Sequence, residues 1–218
     1  MLANKKIESE CYDRMDEPKG QENMTSEYYG MSCQELIQRL MNPDRAKGLD
    51  TFLILTLSDI NIHSIVADIG CGPGYFTVPL AKYAVTGKVF ALDIDDEMLE
   101  SCRTHVAELR MSNVEVLKCS EFEFPLENGS IDGAFMAFVI QQSPDKARLL
   151  RAVRELLVPK GWCTILEWYK KDTESEGPPV ERRIDPPELQ QLAEDAGFRH
   201  VRWRDLNGDQ YMTVLRNV

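Results

Sequence analysis

Short β-branched runs alternate along this chain with stretches whose apolar positions recur every three or four residues. Strand-like runs fall at 65–69, 87–92, 114–117, 133–137 and 162–166, and two more at 201–206 and 211–215 flank Asn207, Gly208 and Asp209. Between them, helical spacing predicts a helix over 32–41 with Leu36, Leu40 and Met41 on one side. It predicts another over 45–57 with Leu49, Phe52, Leu53 and Leu57, and a third over 75–85 with Phe76, Leu80 and Tyr83. Met98, Leu99, Cys102, Val106 and Leu109 mark a fourth, and Leu150, Val153 and Leu157 a fifth that starts near Ser143. The last, 186–197, has a proline start and a glycine stop. Asn-Gly between β-like runs predicts a hairpin. Strands alternating with helices and closing on that hairpin predict a doubly wound α/β fold, a mostly parallel seven-stranded sheet with an antiparallel C-terminal end.

Residues 1–27 are polar and without period, which predicts a disordered leader. Residues 28–60 form a helical segment ahead of the main domain, 61–218. The 218 residues suffice for one sizeable core. No apolar stretch approaches the roughly 18 residues of a membrane span, and the start lacks the apolar core of a secretory signal, so a cytoplasmic protein is expected. The net charge of −11 speaks against nucleic acid as a partner, since phosphate affinity comes from Lys and Arg. The six cysteines are dispersed with no C-x-x-C pair, so no metal site is expected and the setting is read as reducing.

The most informative stretch starts at Ile65. A buried strand runs through Asp68 to Ile69, breaks into Gly70, Gly72 and Gly74, and leads into a helix. Glycine lets a ligand approach the backbone closely, and the helix start leaves N–H groups free beside it. The spacing is G-x-G-x-G. The third glycine of the dinucleotide pattern would fall at Tyr75, which counts against a dehydrogenase. A carboxylate at Asp68 would repel a pyrophosphate and attract an ammonium or a sulfonium. Asp93 ends the second strand about 20 residues further on, where an acid can accept from a ribose diol. Asp95 or Asp96 then caps the next helix. Glu167 and Trp168 end the fifth strand, facing the expected cleft.

Asp68-Ile-Gly-Cys-Gly-Pro-Gly74 resembles the first motif of the class I S-adenosylmethionine (SAM)-dependent methyltransferases, and the resemblance extends from about Asp44 to the C-terminus. It is nearest to the group holding the ubiquinone and menaquinone biosynthesis methyltransferases. The resemblance implies SAM as cofactor, with S-adenosylhomocysteine as product. Gly70, Gly72 and Gly74 would hold its methionine part, Asp68 its ammonium and Asp93 its ribose. Met98 would lie against the adenine, and Ser120 or Glu121 would meet the adenine amino group. Cys71, Ile94 and Phe138 complete the expected cofactor set. The helices before the first strand would act as a lid, with Tyr28, Tyr29 and Arg45 as contacts. Related enzymes carry histidines where Gln141 and Gln142 stand, which leaves Glu167 as the candidate base. The implied function is methyl transfer to a small-molecule acceptor. A protein or RNA acceptor, or a SAM-binding module without catalysis, are the alternatives.

Overall fold

The computed structural model describes residues 30–172 and 177–218. The polar leader, Tyr28 and Tyr29 lie outside the described residues. Strands β1 (Ile65–Ile69), β2 (Lys88–Asp93), β3 (Val114–Lys118), β4 (Ile131–Ala137), β5 (Leu157–Trp168), β6 (Phe198–Asp205) and β7 (Gln210–Asn217) form one sheet. Its order is β3-β2-β1-β4-β5-β7-β6. The first five strands are parallel, and β7 runs antiparallel between β5 and β6. In β1, Val66 through Ile69 are all buried, as a central strand covered on both faces requires. Chain order reverses at the β1–β4 pair, and such a point opens a crevice beyond the carboxyl ends of the strands.

Helices cover both faces. Helices α3 (Thr51–Leu57) and α4 (Thr77–Tyr83) bury Ile54, Leu55 and Leu80 against Val66, Val89 and Phe135. On the same face, α5 (Asp96–Glu108) packs Leu99, Cys102 and Val106 on Ala91. The other face carries α6 (Lys146–Leu156) and α7 (Pro186–Asp195), whose Leu150, Val153 and Leu189 meet Ala67, Met136 and Ile165. Each such aliphatic side chain contributes roughly 1.5–3 kcal/mol on burial. Helix α1 (Cys33–Leu40) opens with a reciprocal cap: Glu35 N–H donates to Ser32 Oγ, and Ser32 N–H to Glu35 Oε2. Among the described residues no helix is long and apolar enough to cross a membrane.

Among the departures from the sequence expectations, three change an element's identity or start for a local reason. The single helix expected over 45–57 is two, a one-turn α2 (Arg45–Gly48) and α3. Leu49 leaves helical angles at φ −126°, and Asp50 caps the new start by accepting from the Leu53 N–H at 3.0 Å. Helix α4 begins at Thr77, two residues later than expected, because Gly74 sits at φ +92°. Leu157 belongs to β5 and not to the preceding helix: it pairs with Ile131 ahead of an irregular stretch that resumes at Gly133–Trp162.

Candidate active site

Asp68 is buried at the end of β1, where its Oδ2 accepts from the Thr77 hydroxyl at 2.6 Å. The chain then turns through Gly70 at φ +67° and Gly72 at φ +54°. The amides of Gly70 and Cys71 both donate to Leu92 O, at 2.8 and 3.0 Å, tying the turn to the end of β2. Asp93 completes the tie: its Oδ2 accepts from Gly72 N–H at 2.8 Å and its Oδ1 from Asp95 N–H at 3.0 Å. Asp95, the observed cap of α5, accepts from Glu97 and Met98. One carboxylate thus holds the glycine turn while its neighbour starts the helix carrying Met98.

Burial pushes Asp68 up to about 7, against the lowering effect of its Thr77 bond. Burial also pushes Asp93 up to about 6, opposed by the amides of Asp95 and Gly72. Both groups are therefore poised to gain from a cationic or hydrogen-bond-donating ligand. The Cys71 thiol is pushed up by its Cys102 neighbour and by burial, so it is no reactive thiolate.

A cavity of about 1190 Å³ opens on these groups. Asp68, Gly70, Cys71, Gly72, Asp93, Ile94, Met98, Ser120, Glu121 and Phe138 line it, so the structure gathers these expected residues at one place. Arg45 lines it too, with its guanidinium 4.3 Å above the Tyr75 ring. Ser120 is exposed, and Glu121 accepts from the Ser143 hydroxyl at 2.8 Å, bridging two cavity walls. Two expected residues are not in the lining. A Cβ at Gly74 would stand 3.0 Å from Cys102 Sγ, so this glycine lets the turn pack on α5. Glu167 is wholly buried away from the cavity. Strand alternation is the reason. Trp168 pairs with Gln210 and both line the cavity, whereas Glu167 pairs with Tyr211 on the side of α6 and α7. The expectation that Glu167 faces the cleft is corrected accordingly.

The cavity reaches well beyond the glycine turn. Phe138, at φ +65°, tilts against Trp168 with ring centroids 6.1 Å apart. Its carbonyl accepts from the Gln142 side chain at 2.8 Å. The buried Arg183 donates to Pro178 O at 2.9 Å and Lys171 O at 2.8 Å, drawing the loop ends together behind Trp168. The sequence reading missed Gln210, Asn207, Pro178 and Arg182 as lining residues. Only the β5–β7 register brings Gln210 opposite Trp168, a pairing that no local pattern reveals. None of the three histidines lines the cavity.

The residues present fit SAM on geometric grounds. Gly72 leaves space on the cavity side, with no atom nearer than Leu40 Cδ1 at 3.8 Å from a built Cβ, and two buried carboxyls flank that space.

The family described as "Methyltransferase domain" matches residues 66–161. A demethylmenaquinone methyltransferase of Lactococcus lactis is 29% identical over 103 residues, which cover 47% of this chain and 41% of that protein. One of Bacillus cereus is 28% identical over 114 residues, covering 52% and 48%. The chain thus spans less than half the length of these curated relatives. The crystal structure of a SAM-dependent methyltransferase from Aquifex aeolicus superposes with a TM-score of 0.82 at 28% identity, over 86% of this chain and 100% of that one. The [4+2]-cyclase SpnF shares the fold at a TM-score of 0.70 and 15% identity, over 79% of this chain and 82% of that one. The sheet order and the acid-and-glycine turn at its switch point agree with these matches, and over this region the chain is similar to the class I SAM-dependent methyltransferases.

Proposed function

We propose that this chain transfers the methyl group of SAM to a small-molecule acceptor. The observation that carries the reading is one continuous cavity, with the glycine turn and two buried carboxyls at one end and the Phe138–Trp168 wall at the other. A volume of about 1190 Å³ exceeds the roughly 300–1,000 Å³ usual for one small-molecule site, which suits a cofactor and an acceptor together. The relatives named as demethylmenaquinone methyltransferases support a flat, apolar acceptor.

In this reading Gly70, Cys71 and Gly72 cradle the methionine part of the cofactor, and Asp68 faces its ammonium. Asp93 accepts from the ribose with the lone pairs its backbone bonds leave over. Ile94 and Met98 flank the adenine, with Ser120 and Glu121 at its edge. Phe138 closes the seat toward the acceptor, and α1 to α3 act as its lid. When bound, SAM supplies an electrophilic methyl carbon, so the protein's work is alignment and exclusion of water. Phe138 and Trp168 keep the transfer region apolar. Gln142 and Gln210 offer amide groups to orient an acceptor, and Asn207 holds Gln210 in place.

Calorimetry with S-adenosylhomocysteine tests the cofactor seat: micromolar or tighter binding is expected, weakened at least about tenfold in Asp93→Ala. Transfer of label from SAM to reduced demethylmenaquinone tests the acceptor class. Binding without transfer to any quinol or phenol would favour a module without catalysis, and absence of binding would remove the reading altogether.

A further inference from the structure

Behind the cavity, Glu167 makes an unusual bracket. Its Oε1 accepts from Gln141 N–H at 3.2 Å. Its Oε2 has no partner, and neither has the side-chain Oε1 of Gln141, although both atoms are buried. Two acceptors without a donor are a costly arrangement, and a buried carboxylate with a bare oxygen more so. A proton on Glu167 Oε2 turns that bare acceptor into a donor, and Gln141, already bonded to this carboxyl through its N–H, carries the other unpartnered acceptor. We propose that Glu167 is a positioning residue acting as a neutral carboxylic acid. Its Oε2–H donates to Gln141 Oε1 while its Oε1 accepts from Gln141 N–H, and this clamp fixes the turn that walls the cavity.

The turn, Ile140–Gln142, follows Phe138 and Val139. Val139 Cγ2 lies 2.5 Å from where a Cβ on Gly70 would stand, so the turn and the glycine seat are in direct apposition. Displacing the turn would therefore displace a wall of the proposed cofactor site. The surroundings favour the neutral form. Burial pushes Glu167 up to about 8, against the amides of Gln141, Ile140 and Trp168 and the distant charge of Lys146. Lys146, on α6, donates instead to Ser143 O at 3.2 Å. From β7, Tyr211 faces it, and that hydroxyl donates to Ile184 O at 2.8 Å. Beyond Tyr211 stand Tyr169, Asp185 and Glu188. Among these, no cation is hydrogen-bonded to the carboxyl.

The ligand readout of the test rests on the cofactor seat proposed above; the protonation state does not. Glu167→Gln preserves both bonds, since the amide oxygen accepts from Gln141 N–H and the amide N–H donates to Gln141 Oε1. Glu167→Ala removes both. At pH 7 the Gln variant should bind S-adenosylhomocysteine within about twofold of wild type, and the Ala variant about tenfold more weakly. Thermal melting read against pH supplies the second readout. The folded wild type holds a proton that the unfolded chain releases at the ordinary carboxyl value. Its stability relative to Glu167→Gln should therefore fall as the pH rises from there to about 8, and then level. A Gln variant as impaired as Ala would overturn the proposal, and so would a pH-independent difference between wild type and Gln. Should Glu167→Ala fail to fold, wild type against Gln still decides. Should wild type bind no S-adenosylhomocysteine, the cofactor reading fails and the melting series still judges Glu167.

Discussion

Gly70 and Gly72 share a left-handed backbone but not their surroundings. A methyl group at Gly70 would stand 2.5 Å from Val139 Cγ2, whereas one at Gly72 would meet nothing within 3.8 Å. Left-handed alanine costs about 1–2 kcal/mol in either place. Gly70→Ala adds the clash with Val139, so its melting temperature should drop further than that of Gly72→Ala. Gly72→Ala should instead lose ligand affinity, because its methyl enters the cavity; melting and calorimetry on the two variants separate these effects. Asp68 makes a second prediction. With its carboxyl pushed up to about 7, an ammonium must drive off a proton to bind at lower pH. SAM affinity should rise as pH is raised toward about 7, by at most about tenfold per unit, and Asp68→Asn should flatten that slope.

At the level of elements, α1 lies over α5: Cys33 and Leu36 pack on Met98, which α5 presents to the cavity. Truncating the fully buried Leu36 to Ala should cost about 2–5 kcal/mol. Much of that would appear as local opening of an eight-residue helix at one edge of the fold. Hydrogen exchange should then quicken in Cys33–Leu40 and leave β4 and β5 protected, while affinity for S-adenosylhomocysteine falls. These helices were also the least legible part of the sequence. The apolar period from Leu49 to Leu57 runs unbroken, yet Asp50 caps a new helix inside it, because a local side-chain bond outcompetes a continuous pattern. The strands were more legible, since β-branched runs between helices leave few alternatives. Even so, β5 reaches back to Leu157 through Pro159 and Gly161, residues that read as a turn.

For the whole molecule, three buried carboxyls lean the same way. Asp93, Asp68 and Glu167 are pushed up to about 6, 7 and 8, so the folded chain holds protons that the unfolded chain has released. Their contribution is fully present below the ordinary carboxyl value and is lost as pH rises through the raised ones. Adding to the repulsion of a net charge of −11, this predicts a melting temperature that declines by several degrees from mildly acidic pH to pH 8, measurable by calorimetry. The glycine-turn end of the cavity was largely legible, because an acid, a glycine turn and a second acid follow one another in adjacent strand–helix units. The end at Trp168 was not. Trp168, Gln210, Asn207 and Arg182 come from distant segments, and they meet only once β7 has paired with β5. The placing of Glu167 depended on a single step of strand parity. That step has a consequence for how such a chain tolerates change in length. One residue inserted ahead of Trp162 and absorbed by sliding β5 would trade an indole for an acid at the mouth of the chamber and leave the bracing of the wall behind it to a leucine. Additions and deletions should therefore be rejected within β5.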